Sequence, residues 1–238
     1  MVLIINMYYM KGLIRMGKFI VIEGTDCSGK ETQSRLLVEK LTKMGKKAIR
    51  LTFPNYDSPT GKIVGGPYLG KEEISPCWFP EGAVNVNPRV VSLYYAADRK
   101  YNENEIQKYL DDDYFVICDR YTSSNMAHQG SKIHDDNERF EMYQWIDKLE
   151  FWLLGLPKPD KTIFLHVPYS YAFELKKNRE HLDEHEKCEE HLKNSEIAYV
   201  ELAALYNWTS INCISDNKIR TIESINDEIM KNLEEYLK

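Results

Sequence analysis

Several features that define other classes of protein are scarce in this 238-residue sequence. It has no run of about 18 apolar residues, so we expect no membrane-spanning helix. Its 12 glycines and 9 prolines are too few for a collagen-like or low-complexity chain. The five cysteines are scattered and odd in number, without a C-x-x-C pair, which is typical of reduced thiols in a cytoplasmic protein rather than of a disulfide framework.

Basic charge is also scarce, because 31 lysines and arginines stand against 37 acidic residues and give a formal net charge of −6. This balance argues against a general nucleic-acid-binding protein. It still permits a small anionic ligand where cations are concentrated locally. The length and the 43% hydrophobic content suit one globular domain.

The first 17 residues are considered apart from that domain. They are largely apolar, but Lys11 and Arg15 follow the apolar run and no small-residue cleavage site is present, so a secretory signal is not indicated. Met16 is a second candidate start. We interpret residues 1–17 as an N-terminal extension of unassigned role and residues 18–238 as a single domain.

Apolar strand-like runs alternate with helical patterns along the chain. The runs are rich in Val, Ile and Phe and lack polar alternation, which is typical of buried parallel strands. Alternation with helices predicts crossover connections, and hence an α/β fold with a doubly wound, parallel, five-stranded sheet. The predicted strands lie at 19–23, 48–53, 114–118, 162–167 and 209–214, and the predicted helices at about 30–44, 88–110, 137–154, 169–178, 188–206 and 222–237.

Two stretches do not fit this alternation. Residues 71–88 contain three prolines and predict a long ordered loop or insertion. Residues 176–191 are almost wholly polar. They predict either a solvated helix or a helical lid that closes over a site.

The strongest local signal is a glycine-rich segment between the first predicted strand and the first predicted helix. It matches the P-loop pattern G-x-x-x-x-G-K, with Lys30 as its lysine. In this pattern backbone N–H groups and the helix N-terminus surround phosphate oxygens, and the lysine contacts the β- and γ-phosphates. Glu31 stands where Ser or Thr usually coordinates Mg²⁺. The predicted ATP-binding residues are Gly24, Thr25, Asp26, Cys27, Ser28, Gly29, Lys30, Glu31 and Thr32.

Five segments, in order from residue 18 onward, make the chain resemble the thymidylate kinase family of P-loop nucleotide kinases. They are FIVIEGTDCSGK at 19–30, FP at 53–54, LYYAADR at 93–99, DRY at 119–121 continuing into SSN at 123–125, and LPKPD at 156–160. Each segment alone is a weak signal, whereas five in this order are a strong one. The resemblance implies a P-loop kinase domain that transfers the γ-phosphoryl group of ATP to dTMP with Mg²⁺ and forms homodimers.

The resemblance also implies an acceptor site. Tyr95 and Arg99, four residues apart and therefore on one helix face, would stack on the base and bind its carbonyl edge. Arg120 would bind the acceptor phosphate as a bidentate fork, and Asp26 would orient the acceptor sugar and the metal. The other predicted dTMP-binding residues are Phe53 and Pro54, as the floor of the pocket, and Asn125 and Gln129, at the polar edge of the base.

Two positions depart from the family pattern. His128 stands where relatives often carry a tyrosine near the sugar, and Tyr56 where many carry an arginine that binds phosphate. Lys62 is a candidate replacement for that arginine.

Catalysis needs charge neutralisation around the transferred group. Lys30 and Asp26 are predicted catalytic residues, and Arg179 in the polar stretch is the predicted third, with a solvated basic face as the alternative reading. The resemblance implies that Asp119 lies near Mg²⁺, at the end of a strand where open α/β sheets bind ligands. The spacing of His181, His185 and Cys188 would suit zinc, but phosphoryl transfer gives zinc no task, so no zinc site is predicted.

The residues after the second predicted strand bear on the acceptor. A nucleoside kinase needs a carboxylate base beside its hydroxyl acceptor, whereas Asn55 follows the FP segment here. A monophosphate, with a second pKa of about 6, is already a nucleophilic dianion near neutral pH. A nucleoside monophosphate kinase is therefore favoured. Another nucleotide or nucleoside kinase and a catalytically silent nucleotide-binding module remain alternatives, whereas residues 217–220 lack the aspartate of a guanine-binding N-K-x-D motif.

Overall fold

The computed structural model describes residues 16–176 and 189–237. Most of the predicted extension and of the predicted lid, including Arg179, His181, His185 and Cys188, lies outside the described residues. None of the described helices is both long and apolar enough to cross a membrane.

A five-stranded sheet forms the centre of the fold. Its strands are all parallel and lie in the order β2-β3-β1-β4-β5, so β1 is the central strand, with two strands on either side. This arrangement confirms the predicted doubly wound α/β fold. The strands are β1 (Lys18–Glu23), β2 (Ala48–Thr52), β3 (Phe115–Asp119), β4 (Lys161–His166) and β5 (Thr209–Asn212).

Helices cover both faces of this sheet. The helices are α1 (Lys30–Lys43), α2 (Pro59–Ile63), α3 (Pro88–Asp111), α4 (Thr122–Gly130), α5 (Asp136–Asp147), α6 (Tyr169–Lys176), α7 (Glu189–Leu205) and α8 (Ile222–Lys231). One apolar core lies between the sheet and α1 and α8, and a second lies between the sheet and α3. A third joins α4, α5 and α7. The apolar side chains of β1 are fully buried because both of its faces are covered.

Several elements differ from the sequence-based expectation. Helices α2 and α4 lie where no helix was predicted. The helix predicted at 137–154 ends as α5 at Asp147, and a π-helical turn, Lys148–Leu153, continues it. Strand β2 is only partly buried, because it is an edge strand. A short antiparallel hairpin, Ile214–Ser215 with Lys218–Ile219, follows β5 where only a strand end was predicted.

The 71–88 stretch is ordered, as predicted, and packs beside α3. A π-helical turn, Val64–Tyr68, precedes it, and it contains a 3₁₀ turn, Ala83–Asn85. The Tyr68 hydroxyl donates to the carbonyl of Ala83, and Lys132 Nζ donates to the carbonyls of Ala83 and Val86 at 3.0 and 3.3 Å. The two bonds from Lys132 attach the insertion to the segment that follows α4.

Candidate active site

The glycine-rich segment forms a tight loop between β1 and α1. Gly24 has a φ of 155°, and a Cβ atom at this position would lie 2.4 Å from Ser28 Oγ and 2.7 Å from the carbonyl oxygen of Leu165. Cys27 and Gly29 also have positive φ values, and Gly29 is the N-cap of α1. The loop therefore turns tightly at the N-terminus of α1, which is the kind of place where backbone N–H groups bind phosphate.

Two side-chain hydroxyls inside this loop have no partner in the part of the chain that the structure describes. The hydroxyl oxygens of Thr25 and Ser28 are buried and make no hydrogen bond with the described residues. Lys30, only 6% exposed, donates from Nζ to the carbonyl of Thr25 at 2.7 Å. Unsatisfied buried hydroxyls are costly unless a ligand or water satisfies them. The loop is therefore suited to a polar ligand.

Burial in this loop makes the charged form of Lys30 less favourable than it is in water. Desolvation by burial lowers its pKa from 10.5 to about 8, and repulsion from Arg120 adds to this effect. Attraction to Asp26 and Asp119 offsets part of the shift. A bound polyphosphate brings negative charge to the ammonium group and favours its protonated form.

ATP affinity is therefore expected to fall as pH rises above about 8. Free Lys30 loses its proton around pH 8, whereas the ATP-bound form keeps it, so binding takes up a proton and the dissociation constant rises by up to about tenfold per pH unit. Calorimetric titration with ATP between pH 7 and 9.5, in buffers of different ionisation enthalpy, measures this uptake. Lys30→Arg stays charged throughout and is expected to lose the dependence; an unchanged pH profile in that variant would contradict the assignment.

Two ion pairs line the cleft beside the loop. Arg50 of β2 donates to Asp119 Oδ2 at 2.5 Å, and Arg120 pairs with Asp26. Burial alone would raise the pKa of Asp26, but attraction to Arg120 and other nearby cations outweighs it, and the net pKa is below its usual range. Asp26 and Asp119 both line a cleft of about 480 Å³ that also contains Lys30.

Arg120 occupies an unusual backbone conformation at the end of β3. Its φ is 66°, in the left-handed region that residues with a Cβ rarely adopt. Its N–H donates to the carbonyl of Ile22 at 3.2 Å, and its Nη1 lies 3.1 Å from His128 Nε2. Backbone strain of this kind collects at functional sites, where the surrounding structure holds a side chain in a required position.

A second pocket adjoins this cleft and shares five lining residues with it: Asp26, Phe53, Pro54, Tyr56 and Arg120. It is lined by most of the residues that the sequence predicts for an acceptor: Asp26, Phe53, Pro54, Tyr95, Arg99, Arg120 and Asn125, with Tyr56, Leu69, Tyr121, Ser124 and His128. The structure therefore places Tyr95 and Arg120 in one cavity that is continuous with the Lys30 cleft.

Gln129 is not among the residues that line this pocket. Its side chain is fully buried in α4, and neither amide atom has a hydrogen-bond partner among the described residues. Asn125, one turn earlier on the same helix, does line the pocket. Asn125 is therefore placed where it can contact a ligand in the pocket, whereas Gln129 is not.

The cation near Tyr56 is not the one that the sequence suggested. Lys62 is exposed and does not line either cavity. Lys71, at the start of the insertion, lines the Lys30 cleft, and its Nζ lies 5.1 Å from the centre of the Tyr56 ring. The insertion therefore places a positive charge beside the Tyr56 ring, within the range of a cation–π contact.

The donor set of the cleft fits a metal ion that arrives with a nucleotide. No group of three or more His, Cys, Asp or Glu residues suited to a metal occurs within 16–176 and 189–237. Mg²⁺ does not need such a group, because it binds through one or two carboxylates together with substrate phosphates and water. Asp119 can serve as that carboxylate. Glu31 instead pairs with Arg35 at 2.8 Å, on the exposed side of α1.

Several residues of the site were missed by sequence reasoning. Glu23 accepts hydrogen bonds from the N–H groups of Tyr121 and Ser124 and so fixes the start of α4. His191 Nε2 lies 3.2 Å from His128 Nδ1. The only signal for Arg50 was a lone arginine in an apolar strand. The full set is Glu23, Arg50, Lys71, Glu150 and His191.

Comparison with known proteins agrees with this geometry. The family model described as thymidylate kinase matches residues 22–225. The chain is 32% identical over 223 residues to a thymidylate kinase of Plasmodium falciparum, covering 91% of this chain and 90% of that protein. It is 30% identical to a thymidylate kinase of Mycobacterium tuberculosis, covering 78% and 85%.

A solved structure of the thymidylate kinase from Candida albicans has a similar fold, with a TM-score of 0.68, 24% identity and coverage of 92% of both chains. The P-loop, the parallel sheet and the match over most of the chain agree with one another. The chain therefore belongs to the thymidylate kinase family, whose members are nucleoside monophosphate kinases.

Proposed function

We propose that this protein transfers the γ-phosphoryl group of ATP to dTMP, giving ADP and dTDP. One observation carries the proposal: the pocket that contains Tyr95, Arg99 and Asn125 shares Asp26 and Arg120 with the cleft that contains Lys30. A donor phosphate at Lys30 and an acceptor phosphate at Arg120 would meet at this junction.

The chain's own residues account for the chemistry by positioning and charge. The acceptor phosphate is a dianion near neutral pH and needs no base to remove a proton. Arg120 binds and orients it, with Asp26 holding the guanidinium in place. Lys30 and the amides of the loop stabilise charge on the donor phosphates.

Mg²⁺ is the proposed cofactor, with Asp119 as its protein ligand. When bound with ATP it would neutralise charge on the β- and γ-phosphates. Arg179 remains the predicted lid cation that would neutralise the remaining charge on the transferred phosphoryl group. The four cysteines among the described residues are free thiols, which supports the proposed cytoplasmic location.

Acceptor selectivity tests the proposal. Coupled ADP release is measured with dTMP, AMP and free thymidine under the same conditions. We expect dTMP to be turned over at least about a hundredfold faster, as kcat/KM, than the others. Turnover of AMP or thymidine but not of dTMP would show another kinase, and no turnover of any acceptor would show a silent nucleotide-binding module.

Lys71 is expected to take part in phosphate binding. Lys71→Ala removes a positive charge from the wall of the cleft, so we expect kcat/KM to fall about tenfold to a hundredfold, with a stronger effect at low salt. Steady-state kinetics at two ionic strengths measure the change. Lys62→Ala, which removes an exposed lysine outside both cavities, is the matched control; equal losses in the two variants would exclude a specific role for Lys71.

A homodimer is the proposed assembly. Val90, Leu93, Ala97 and Tyr101 form an exposed stripe on one face of α3. Trp152 and Leu153, 73% and 60% exposed, lie close to it, because Lys100 of α3 bonds the carbonyl of Leu154 at 2.8 Å. A contiguous apolar surface of this kind indicates a protein interface, and a second copy of the chain would cover it.

The oligomeric state is checked by light scattering on the eluting protein. We expect about twice the 27.9 kDa chain mass, and about the chain mass for Leu93→Glu, which places a charge in the stripe. Val200→Glu, at an exposed position of α7, is the control and should leave the mass unchanged. A monomeric wild-type protein would contradict the proposed dimer.

A further inference from the structure

A buried carboxylate lies behind the acceptor pocket without lining it. Glu150, on the π-helical turn after α5, has no exposed surface. Its two oxygens accept hydrogen bonds from four donors on two other helices. The donors are Arg99 Nε, Arg99 Nη2 at 2.5 Å, Thr122 Oγ1 at 2.8 Å and Asn125 Nδ2 at 2.9 Å.

This network fixes which way the Asn125 amide points. The NH₂ group donates to Glu150, whereas a flipped amide would set its oxygen against the carboxylate and be repelled. The carbonyl oxygen Oδ1 is buried and has no hydrogen-bond partner among the described residues. Asn125 lines the acceptor pocket. Its Oδ1 can therefore accept a hydrogen bond from a ligand there.

The same network fixes Arg99. Its Nε and Nη2 groups are taken up by Glu150, and its side chain is 2% exposed. No described residue accepts a hydrogen bond from Nη1, which therefore keeps its donors for a ligand. Arg99 also lines the acceptor pocket. The pocket thus has one hydrogen-bond donor, Arg99 Nη1, and one acceptor, Asn125 Oδ1, and Glu150 orients both.

We propose that Glu150 is a positioning residue that makes the acceptor site selective for pyrimidines with an imide edge, that is thymine and uracil, over cytosine. This inference rests on the proposed function. Thymine presents a carbonyl acceptor at O4 and a donor at N3–H, which complement Arg99 Nη1 and Asn125 Oδ1. Cytosine presents an amino donor and a ring-nitrogen acceptor, which oppose both groups.

Selectivity between dTMP and dCMP is the measurement that isolates this role. Glu150→Gln removes the charge that orients Asn125, so the amide can turn and present either atom. We expect the ratio of kcat/KM for dTMP to that for dCMP to fall at least tenfold, with a raised KM for dTMP and an unchanged KM for ATP. Glu201→Gln, which weakens an ion pair with Arg139 on another part of the molecule, should leave the ratio unchanged.

A second set of variants covers the case in which Glu150→Gln does not fold, because it leaves Arg99 buried without a counter-charge. Arg99→Gln with Glu150→Gln removes both charges together. Adding Asn125→Ala to that double variant should change the dTMP/dCMP ratio less than twofold, since the amide is no longer oriented. A further large fall would show that Asn125 reads the base without Glu150 and would overturn the inference.

Two other outcomes are decisive. A folded Glu150→Gln protein that loses activity equally on dTMP and dCMP would show a purely structural role and overturn the inference while leaving the proposed function intact. A wild-type protein that turns over no dTMP would overturn the proposed function itself, and the inference with it.

Discussion

Replacing Lys30 with methionine is expected to lower kcat with dTMP by at least about a thousandfold. Lys30 is the buried cation of the P-loop, and its bond to the carbonyl of Thr25 holds it in place before the nucleotide arrives. A positioned charge that stabilises the transferred phosphoryl group contributes most in the transition state. The effect is therefore expected in kcat more than in the KM for dTMP, and coupled ADP release measures both.

The free energy of unfolding of Lys30→Met shows whether a loss of activity comes from the chemistry or from a loss of folded protein. Burial lowers the pKa of Lys30 to about 8 from 10.5, so at pH 7 the folded protein holds a charge that it favours less than the unfolded chain does. Removing that charge is expected to leave the free energy of unfolding unchanged, or to raise it by up to about 3 kcal/mol.

Lys40→Met is the matched control for this experiment. It lies on the same helix and pairs with Asp227 on an exposed surface, outside the cleft. We expect it to keep wild-type turnover. A Lys30→Met protein with turnover within tenfold of the wild type would show that phosphoryl transfer does not depend on this loop.

Replacing Arg120 with methionine is expected to have the second largest effect, but in a different pattern. Arg120 lines both cavities and pairs with the partly buried Asp26. Its loss removes the cation at the acceptor phosphate, so kcat/KM for dTMP is expected to fall by about a hundredfold to a thousandfold. It also leaves Asp26 without its main counter-charge, at a cost of up to about 3 kcal/mol in unfolding free energy.

Calorimetric binding distinguishes the two substrates in this variant. We expect dTMP affinity to fall much more than ATP affinity, and Arg120→Lys to recover part of it, because a lysine keeps the charge but not the two-pronged geometry. Arg139→Met, which breaks an ion pair with Glu201 away from both cavities, is the control. Equal losses of dTMP and ATP affinity would place Arg120 in structural support of the loop rather than at the acceptor.

The central sheet and the P-loop were predictable because their signals are local. Each inner strand is a short run of apolar residues with no exposed face, and the loop needs its glycines at fixed spacing. The hairpin after β5 also has a local signal. Asp216 and Asn217 at its turn both have positive φ values, and such residues favour the tight turns of hairpins.

Helix α4 could not be predicted from apolar periodicity. All nine of its residues are buried, yet the segment reads TSSNMAHQG and is mostly polar. Several of its polar side chains bond to partners far away in sequence, such as Ser123 and Ser124, whose hydroxyls donate to Glu23. Contacts with residues distant in sequence stabilise this helix. Its own sequence therefore does not predict it.

The acceptor pocket shows the same limit. The positions of Tyr95 and Arg99 on one helix face follow from their spacing, but the partner of Arg99 is 51 positions away in the chain. Nothing in the local sequence around Glu150 indicates that it orients two pocket residues. Lys71 was likewise hidden, because its place in the cleft depends on how the insertion packs.

A crystal structure with dTMP and a non-hydrolysable ATP analogue tests the central claim most directly. We expect the pyrimidine against Tyr95, its phosphate within hydrogen-bond distance of Arg120, and the triphosphate in the P-loop with its terminal phosphate at Lys30, in line with the acceptor oxygen. A dTMP molecule bound outside the Tyr95–Arg120 pocket, or a triphosphate away from Lys30, would contradict it.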